Sequence, residues 1–187
     1  MSSLVADDQL VARIAKADTV ALEALYMRHH TRVFRFIARI VRDEAVAEEL
    51  ANEVFVDIWR NARSYEGRSS ATTWLLSIAR NRAVSALRKR REEPWDNEKA
   101  TTLRDDADDS EVTVQKTDKS RLLRRCIDAL PTEYREIVDL VYYHELSVSE
   151  VGSVLRIPEG TVKTRLFNAR KRLSELLKDL GVDRGWP

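Results

Sequence analysis

The stretch Ser147–Leu173 reads SVSEVGSVLRIPEGTVKTRLFNARKRL, and its spacing decides the fold. Ser147 and Glu150 have the separation of a capping box, which predicts a short helix over Val148–Leu155. A tight RIPEG link follows, and PEGTVKTRLFNARKRL then opens a second helix. Its apolar positions Val162, Leu166, Ala169 and Leu173 are spaced by four, three and four residues, as one buried stripe requires. Phe167 lies outside that stripe. At roughly 100° per residue it sits about 140° round from Val162, among Gly160, Lys163, Thr164, Asn168 and Lys171.

A short helix, a turn of a few residues and a second helix with its stripe inside and cations outside is the plan of a helix-turn-helix. The major groove of DNA admits such a helix, whose first turns come closest to base edges. Lys163, Thr164, Phe167, Asn168 and Lys171 share that face, and Arg165, Arg170 and Arg172 flank it where phosphates would lie. Phe167 then has a use, because an apolar ring can contact thymine methyl groups. A merely solvated cationic face would have the same charges; the cap, the short first helix and the Pro-Glu-Gly link together favour the groove.

Working outward, the chain has 187 residues, is 43% hydrophobic and carries a net charge of +1. That is enough apolar content for real cores, so disorder throughout is excluded. Cys126 is the single cysteine, which rules out an intramolecular disulfide framework and fits a reducing compartment. No run approaches the roughly 18 apolar residues of a membrane span, and MSSLVADDQL has no leader character. The expectation is a soluble, cytoplasmic, all-α protein with no membrane association. Two small helical domains are predicted, over 1–91 and 119–187, on a flexible acidic linker over 92–118, where EEPWDNEKATTLRDDADDSEVTVQKTD shows no helical stripe.

In the first domain Leu22, Leu25, His29, Val33, Phe36, Ile37 and Ile40 fall on one helical face. A second helix is predicted over Glu44–Asn61, capped by Asp43, with Ala47, Leu50, Val54 and Ile58 inward. Glu49, Asn52, Val56 and Trp59 lie opposite, flanked by Glu48 and Glu53. The loop SYEGRSSAT, Ser64–Thr72, leads to a third helix starting near Thr73 or Trp74, with Leu75, Leu76, Ala79, Ala83 and Leu87 inward. In the second domain Pro131 separates a helix ending near Leu130 from one starting at Thr132, apolar at Ile137, Val138, Val141 and Tyr142.

The segments EELANEVFVDIWRNARSYEGRSSATTWLLSIARNRAVSALRKRR and LPTEYREIVDLVYYHELSVSEVGSVLRIPEGTVKTRLFNARKRL resemble regions 2 and 4 of the extracytoplasmic-function (ECF) sigma factors, group 4 of the sigma-70 family. The resemblance covers about Leu22–Arg91 and Leu130–Leu177. It implies a subunit that binds core RNA polymerase, at the clamp coiled coil and the flap, directs it to promoters and helps melt them. Its implied contacts to the duplex minus-35 element are Arg156, Thr161, Lys163, Thr164, Arg165, Phe167, Asn168 and Lys171. Single-stranded minus-10 DNA falls to Tyr65, Arg68, Ser69, Trp74, Arg80, Asn81 and Arg88. Such a site needs a cradle for an unstacked base, surfaces to cap the stack and cations for the backbone. Trp74 also reads as a core aromatic. Core polymerase falls to Glu48, Glu49, Asn52 and Glu53; many relatives have Gln where Asn52 stands, so this amide has less reach.

The resemblance further implies control by an anti-sigma factor, and with the sequence ending at GVDRGWP the expectation is regulation by a separate partner rather than by an appended sensor domain. A monomer is expected when free. No cofactor or metal is expected: His29 and His30 point about 100° apart on a helix, and no nucleophile elbow or phosphate loop suggests an enzyme. Two other readings are a stand-alone dimeric helix-turn-helix regulator and an interaction protein whose basic patches bind an acidic partner.

Overall fold

The structure is a computed structural model that describes residues 5–92 and 114–180, with backbone alone over 114–119. Among the described residues the elements are helices: α1 (Asp7–Ile14), α2 (Thr19–Val41), α3 (Glu44–Asn61), a 3-10 turn (Ala62–Ser64), α4 (Ala71–Glu92), α5 (Val114–Asp128), α6 (Thr132–Val138), a π turn (Asp139–Tyr143), α7 (Val148–Leu155) and α8 (Glu159–Asp179). They form two compact units, one built on α1–α4 and one on α5, α6 and α8. No described helix is long and apolar enough to cross a membrane.

In the first unit α2 packs against α1, α3 and α4. Leu25, Val33, Phe36, Ile37 and Ile40 of α2 meet Ala47, Leu50, Val54 and Ile58 of α3 and Leu75, Leu76, Ala79 and Ala83 of α4, all buried. Leu22 and Leu87 are only half-buried, because each lies at the edge of its stripe. Asp18 and Asp43 cap their helices by accepting the N–H of Ala21 at 3.0 Å and Val46 at 3.1 Å. α4 starts at Ala71, earlier than its apolar pattern indicates, because the Ser70 hydroxyl accepts the Thr73 N–H at 3.2 Å and acts as the cap.

The sequence reading has no counterpart of α1. Its eight residues bury Leu10, Val11 and Ile14, too short a pattern for periodicity to register, and tertiary contacts hold it. Asp7 receives His29 Nε2 at 2.6 Å and Arg28 Nη1 at 2.9 Å. His29, read as part of an apolar stripe, thus tethers α1 to α2.

In the second unit Cys126, Leu130, Val138, Ala169 and Leu173 form a buried cluster with Ile127, Tyr134, Leu176 and Leu177 packed around it. Burial pushes the Cys126 thiol up from its ordinary range, so it serves as a small apolar filler. α5 begins at Val114, within the segment 92–118 read as linker, whose residues 93–113 lie outside the described residues. One expectation needs correction: Tyr142, read as part of the apolar face, is 49% exposed. The π turn over Asp139–Tyr143 takes in an extra residue, rotates the face, and buries Leu140 and Asp139 instead. The buried Asp139 carboxylate lies 3.2 Å from His144 Nε2.

Candidate nucleic-acid interface

The capping box forms as its spacing predicts: the Ser147 N–H donates to Glu150 Oε2 at 3.0 Å, and the Glu150 N–H donates to Ser147 Oγ at 3.3 Å. At the other end of α7, Arg156 takes a left-handed φ of 56°, and the Ile157 N–H donates to the Gly152 carbonyl at 3.1 Å. This six-to-one bond around a left-handed residue is a Schellman stop, which turns the chain sharply into Pro158 and α8. Gly152 leaves room for the close approach of the turn. A Cβ on it would lie 3.0 Å from the Ile157 carbonyl oxygen, a backbone atom of the turn. Gly152→Val is expected to destabilise the second unit by about 1–2 kcal/mol, visible as a lowered melting temperature of its transition. An unchanged melt would mean that the turn opens without strain.

α8 buries Val162, Leu166, Ala169 and Leu173 and leaves Phe167 68% exposed. Lys163 and Lys171 are exposed and make no ion pair among the described residues. The Thr164 hydroxyl donates to the Gly160 carbonyl at 3.0 Å, which keeps its oxygen outward as an acceptor. Asn168 is half-buried and lines a shallow groove with Pro131, Tyr134, Lys171, Arg172 and Glu175, so it sits at the edge of the face. The flanking arginines are engaged within the unit: Arg165 lies 3.3 Å from Glu133, Arg172 is 3.1 Å from Glu175, and Arg170 Nε donates to Tyr142 Oη at 2.7 Å. These exposed pairs are weak and can exchange for phosphate. Arg156 is exposed beside the turn and Thr161 is half-buried in the first turn of α8.

A second face lies on the first unit. Tyr65 and Trp74 pack with ring centroids 5.1 Å apart, which leaves Trp74 half-buried. Arg68 is exposed at the tip beside Gly67, whose φ is 67°, and pairs with Glu66. Asn81 and Arg88 are exposed along α4, and Arg80 is half-buried. Aromatic surface and loop backbone therefore lie at the start of α4, and Arg80, Asn81 and Arg88 follow along the helix, the kinds of group that unpaired bases and their phosphates require.

On α3, Glu48 and Glu49 are exposed, with Glu48 3.3 Å from His30 Nε2. Asn52 accepts the Tyr26 hydroxyl at 3.2 Å. Glu53 is committed elsewhere: Arg82 Nη1 donates to it at 2.9 Å, while Arg82 Nε and Nη2 grip Asp57 at 2.6 Å each. Arg82 and Asp57, and Asp8, which accepts the Tyr65 hydroxyl and the Ala71 N–H, are neighbours of the candidate site that sequence reasoning missed. Arg82 falls between the inward and outward faces of α4, a position whose partner periodicity cannot name.

Comparison with known proteins agrees with both units. Residues 25–93 match the family described as Sigma-70 region 2, and residues 120–173 match Sigma-70, region 4. The chain is 32% identical over 178 residues to the ECF RNA polymerase sigma factor SigK of Mycolicibacterium vanbaalenii, covering 94% of this chain and 89% of that protein. It is 28% identical over 185 residues to the RNA polymerase sigma-H factor of Pseudomonas aeruginosa, covering 93% and 95%. Among solved structures, the sigma factor RpoE of Bartonella quintana, crystallised with the anti-sigma factor NepR, has a TM-score of 0.69 at 25% identity, covering 85% of this chain and 96% of that one. CnrH, solved with the cytosolic domain of CnrY, shares the fold with a TM-score of 0.68 at 20% identity, covering 92% and 97%. With regions 2 and 4 matched in that order, and a SigK relative 32% identical along nearly the whole chain, this protein belongs to the ECF sigma factors of the sigma-70 family.

Proposed function

We propose that this sigma factor divides its work among three surfaces. The acidic face of α3, led by Glu48, Glu49 and Asn52, docks core RNA polymerase. The Tyr65–Ser70 loop with Trp74, Arg80, Asn81 and Arg88 holds unpaired minus-10 DNA. The outward face of α8, with Arg156, Thr161, Lys163, Thr164, Arg165, Phe167, Asn168 and Lys171, reads the minus-35 duplex. Glu53 supports the docking face through Arg82 rather than by reaching out itself. Polymerase supplies the chemistry, and the site of action is the cytoplasm.

The observation that carries this reading is Phe167, 68% exposed on an otherwise cationic helix face. A large ring left in water costs solubility and gains nothing for the core, and a groove lined with thymine methyl groups gives it a partner. A dimeric regulator would use α8 equally well but leaves the acidic face of α3 and the aromatic loop without a task. Control by an anti-sigma protein is part of the proposal, with the RpoE complex with NepR as the precedent. Purified core enzyme plus this chain is expected to give run-off transcripts from a host promoter library, with little duplex retention by the chain alone. Strong specific retention without core, and no transcript with it, would reverse the assignment.

Arg156 offers a separable test. Its left-handed backbone disfavours any residue with a Cβ, so Arg156→Gly is expected to raise stability by about 0.5–1 kcal/mol. As a phosphate contact its loss should also weaken promoter binding at every sequence and reduce the salt slope by about 1. Thermal melts and salt titrations of the holoenzyme read the two effects; a stability gain with unaltered salt dependence would remove Arg156 from the interface.

A further inference from the structure

The loop from Tyr65 to Ser70 has little holding its tip. Glu66, Gly67 and Arg68 are all exposed, and the Arg68–Glu66 pair is solvent-bathed, with side chains 86% and 61% exposed, so it contributes little rigidity. Its shape is set at its ends, and both ends lead to one atom. Asp8 Oδ1, in α1, accepts the Tyr65 hydroxyl at 2.5 Å and the backbone N–H of Ala71 at 3.1 Å. Ala71 is the first residue of α4, so its N–H is one of the donors a helix start leaves without an internal partner. A carboxylate there also meets the positive end of the helix dipole. Tyr65 has one hydroxyl proton, shared between Asp8 and the Ser69 carbonyl at 2.6 Å. Burial, then the adjacent Asp8 carboxylate, push the phenol up from its ordinary range, so it remains a donor.

α1 is itself fixed. Asp7 is gripped by His29 and Arg28 of α2, and Arg63 Nε donates to the Ala15 carbonyl at 3.2 Å just past the end of α1. The adjacent acids thus divide: Asp7 pins α1 to the body, and Asp8 pins both ends of the loop to α1. α1 precedes the residues matched to region 2, which start at 25.

We infer that Asp8 is a positioning residue for promoter recognition, a cap supplied from α1 that holds the Tyr65–Ser70 loop and the first turn of α4 in one geometry. This rests on the reading that the loop meets minus-10 DNA. Tyr65 and the start of α4 share that atom, so its loss frees two of the loop's anchors at once, and sub-ångström slack at a recognition site is enough to blur it.

The test uses holoenzyme assembled from host core polymerase and the full chain, on a promoter selected by the wild-type protein and on its single-base minus-10 variants. Asp8→Ala is expected to leave core affinity within about twofold, lower run-off transcription about tenfold, and flatten the ranking among minus-10 variants. Asp8→Asn keeps an oxygen acceptor for both donors and is expected to retain the ranking. Flattening in Asp8→Ala that Asp8→Asn repairs supports the positioning role. A lower melting temperature in Asp8→Ala with the minus-10 ranking unchanged overturns it, leaving Asp8 a structural cap alone. Replacing Arg68 and Ser69 together by Ala separates the two ideas. If that variant keeps the full ranking, the loop does not read minus-10 and the underlying reading fails; if it loses the ranking while Asp8→Ala keeps it, only the role of Asp8 fails.

Discussion

Phe167→Ala is expected to lower transcription from the cognate promoter about tenfold to a hundredfold while core polymerase affinity stays at the wild-type value. The ring is 68% exposed, so its removal takes little from the folded protein, within about 0.5 kcal/mol. Its contribution arises only on DNA, where an apolar contact to a thymine methyl loses its partner. The methyl itself can be removed from the other side. On a minus-35 element carrying deoxyuridine in place of thymine, the wild-type protein should fall toward the level of Phe167→Ala, and the variant should hardly change. Glu49→Arg should do the reverse, weakening core binding by about tenfold through charge reversal on the α3 face and leaving minus-35 preference intact. Equal loss of core affinity in Phe167→Ala and Glu49→Arg would defeat the division of labour, and so would a thymine-to-deoxyuridine effect that persists undiminished in Phe167→Ala.

Arg82→Ala carries the largest expected loss of stability, about 2–3 kcal/mol for the first unit. Its guanidinium makes a bidentate grip on Asp57 and a third bond to Glu53. Asp57 is only 18% exposed, so truncation leaves its carboxylate poorly hydrated. Asp57 and Glu53 are also one turn apart on α3, where two unpaired acids repel. At roughly 4–8 °C per kcal/mol for a domain of this size, the melting temperature should drop by about 10 °C or more. Arg82→Lys should recover only part of this, because an ammonium cannot reproduce the planar two-point grip. A melting temperature for Arg82→Lys equal to wild type would show the clamp to be simple charge neutralisation. Because Glu53 supports the docking face through Arg82, core affinity should fall along with stability.

Why the helices and not this clamp could be read from the sequence follows from what periodicity reports. Stripes such as Val162–Leu166–Ala169–Leu173 and Ala47–Leu50–Val54–Ile58 recur at the helical period and are buried, because a single helix decides which of its side chains share a face. The capping box at Ser147 and the cap at Asp43 are equally local, each a side chain reaching its own helix start. The π turn was illegible because Asp139 and Leu140 trade places with Tyr142 through hydrogen-bond register, which composition does not encode. α1 was illegible because eight residues carry too few apolar positions to stand out, and because its anchors lie on α2 and on the loop before α4.

The sequence by itself therefore determined the helical class, the order of the two units, the helix-turn-helix and the isolation of Phe167 on its cationic face, since each depends on neighbours within a few residues. Only the tertiary structure decided which polar groups on those faces are spoken for. It put Glu53 and Asp57 in the grip of Arg82, Asn52 under Tyr26, and Asp8 at the head of α4. Those partners lie 25 to 63 residues apart in the chain, and a hydrogen bond over such a separation exists only once the helices have packed.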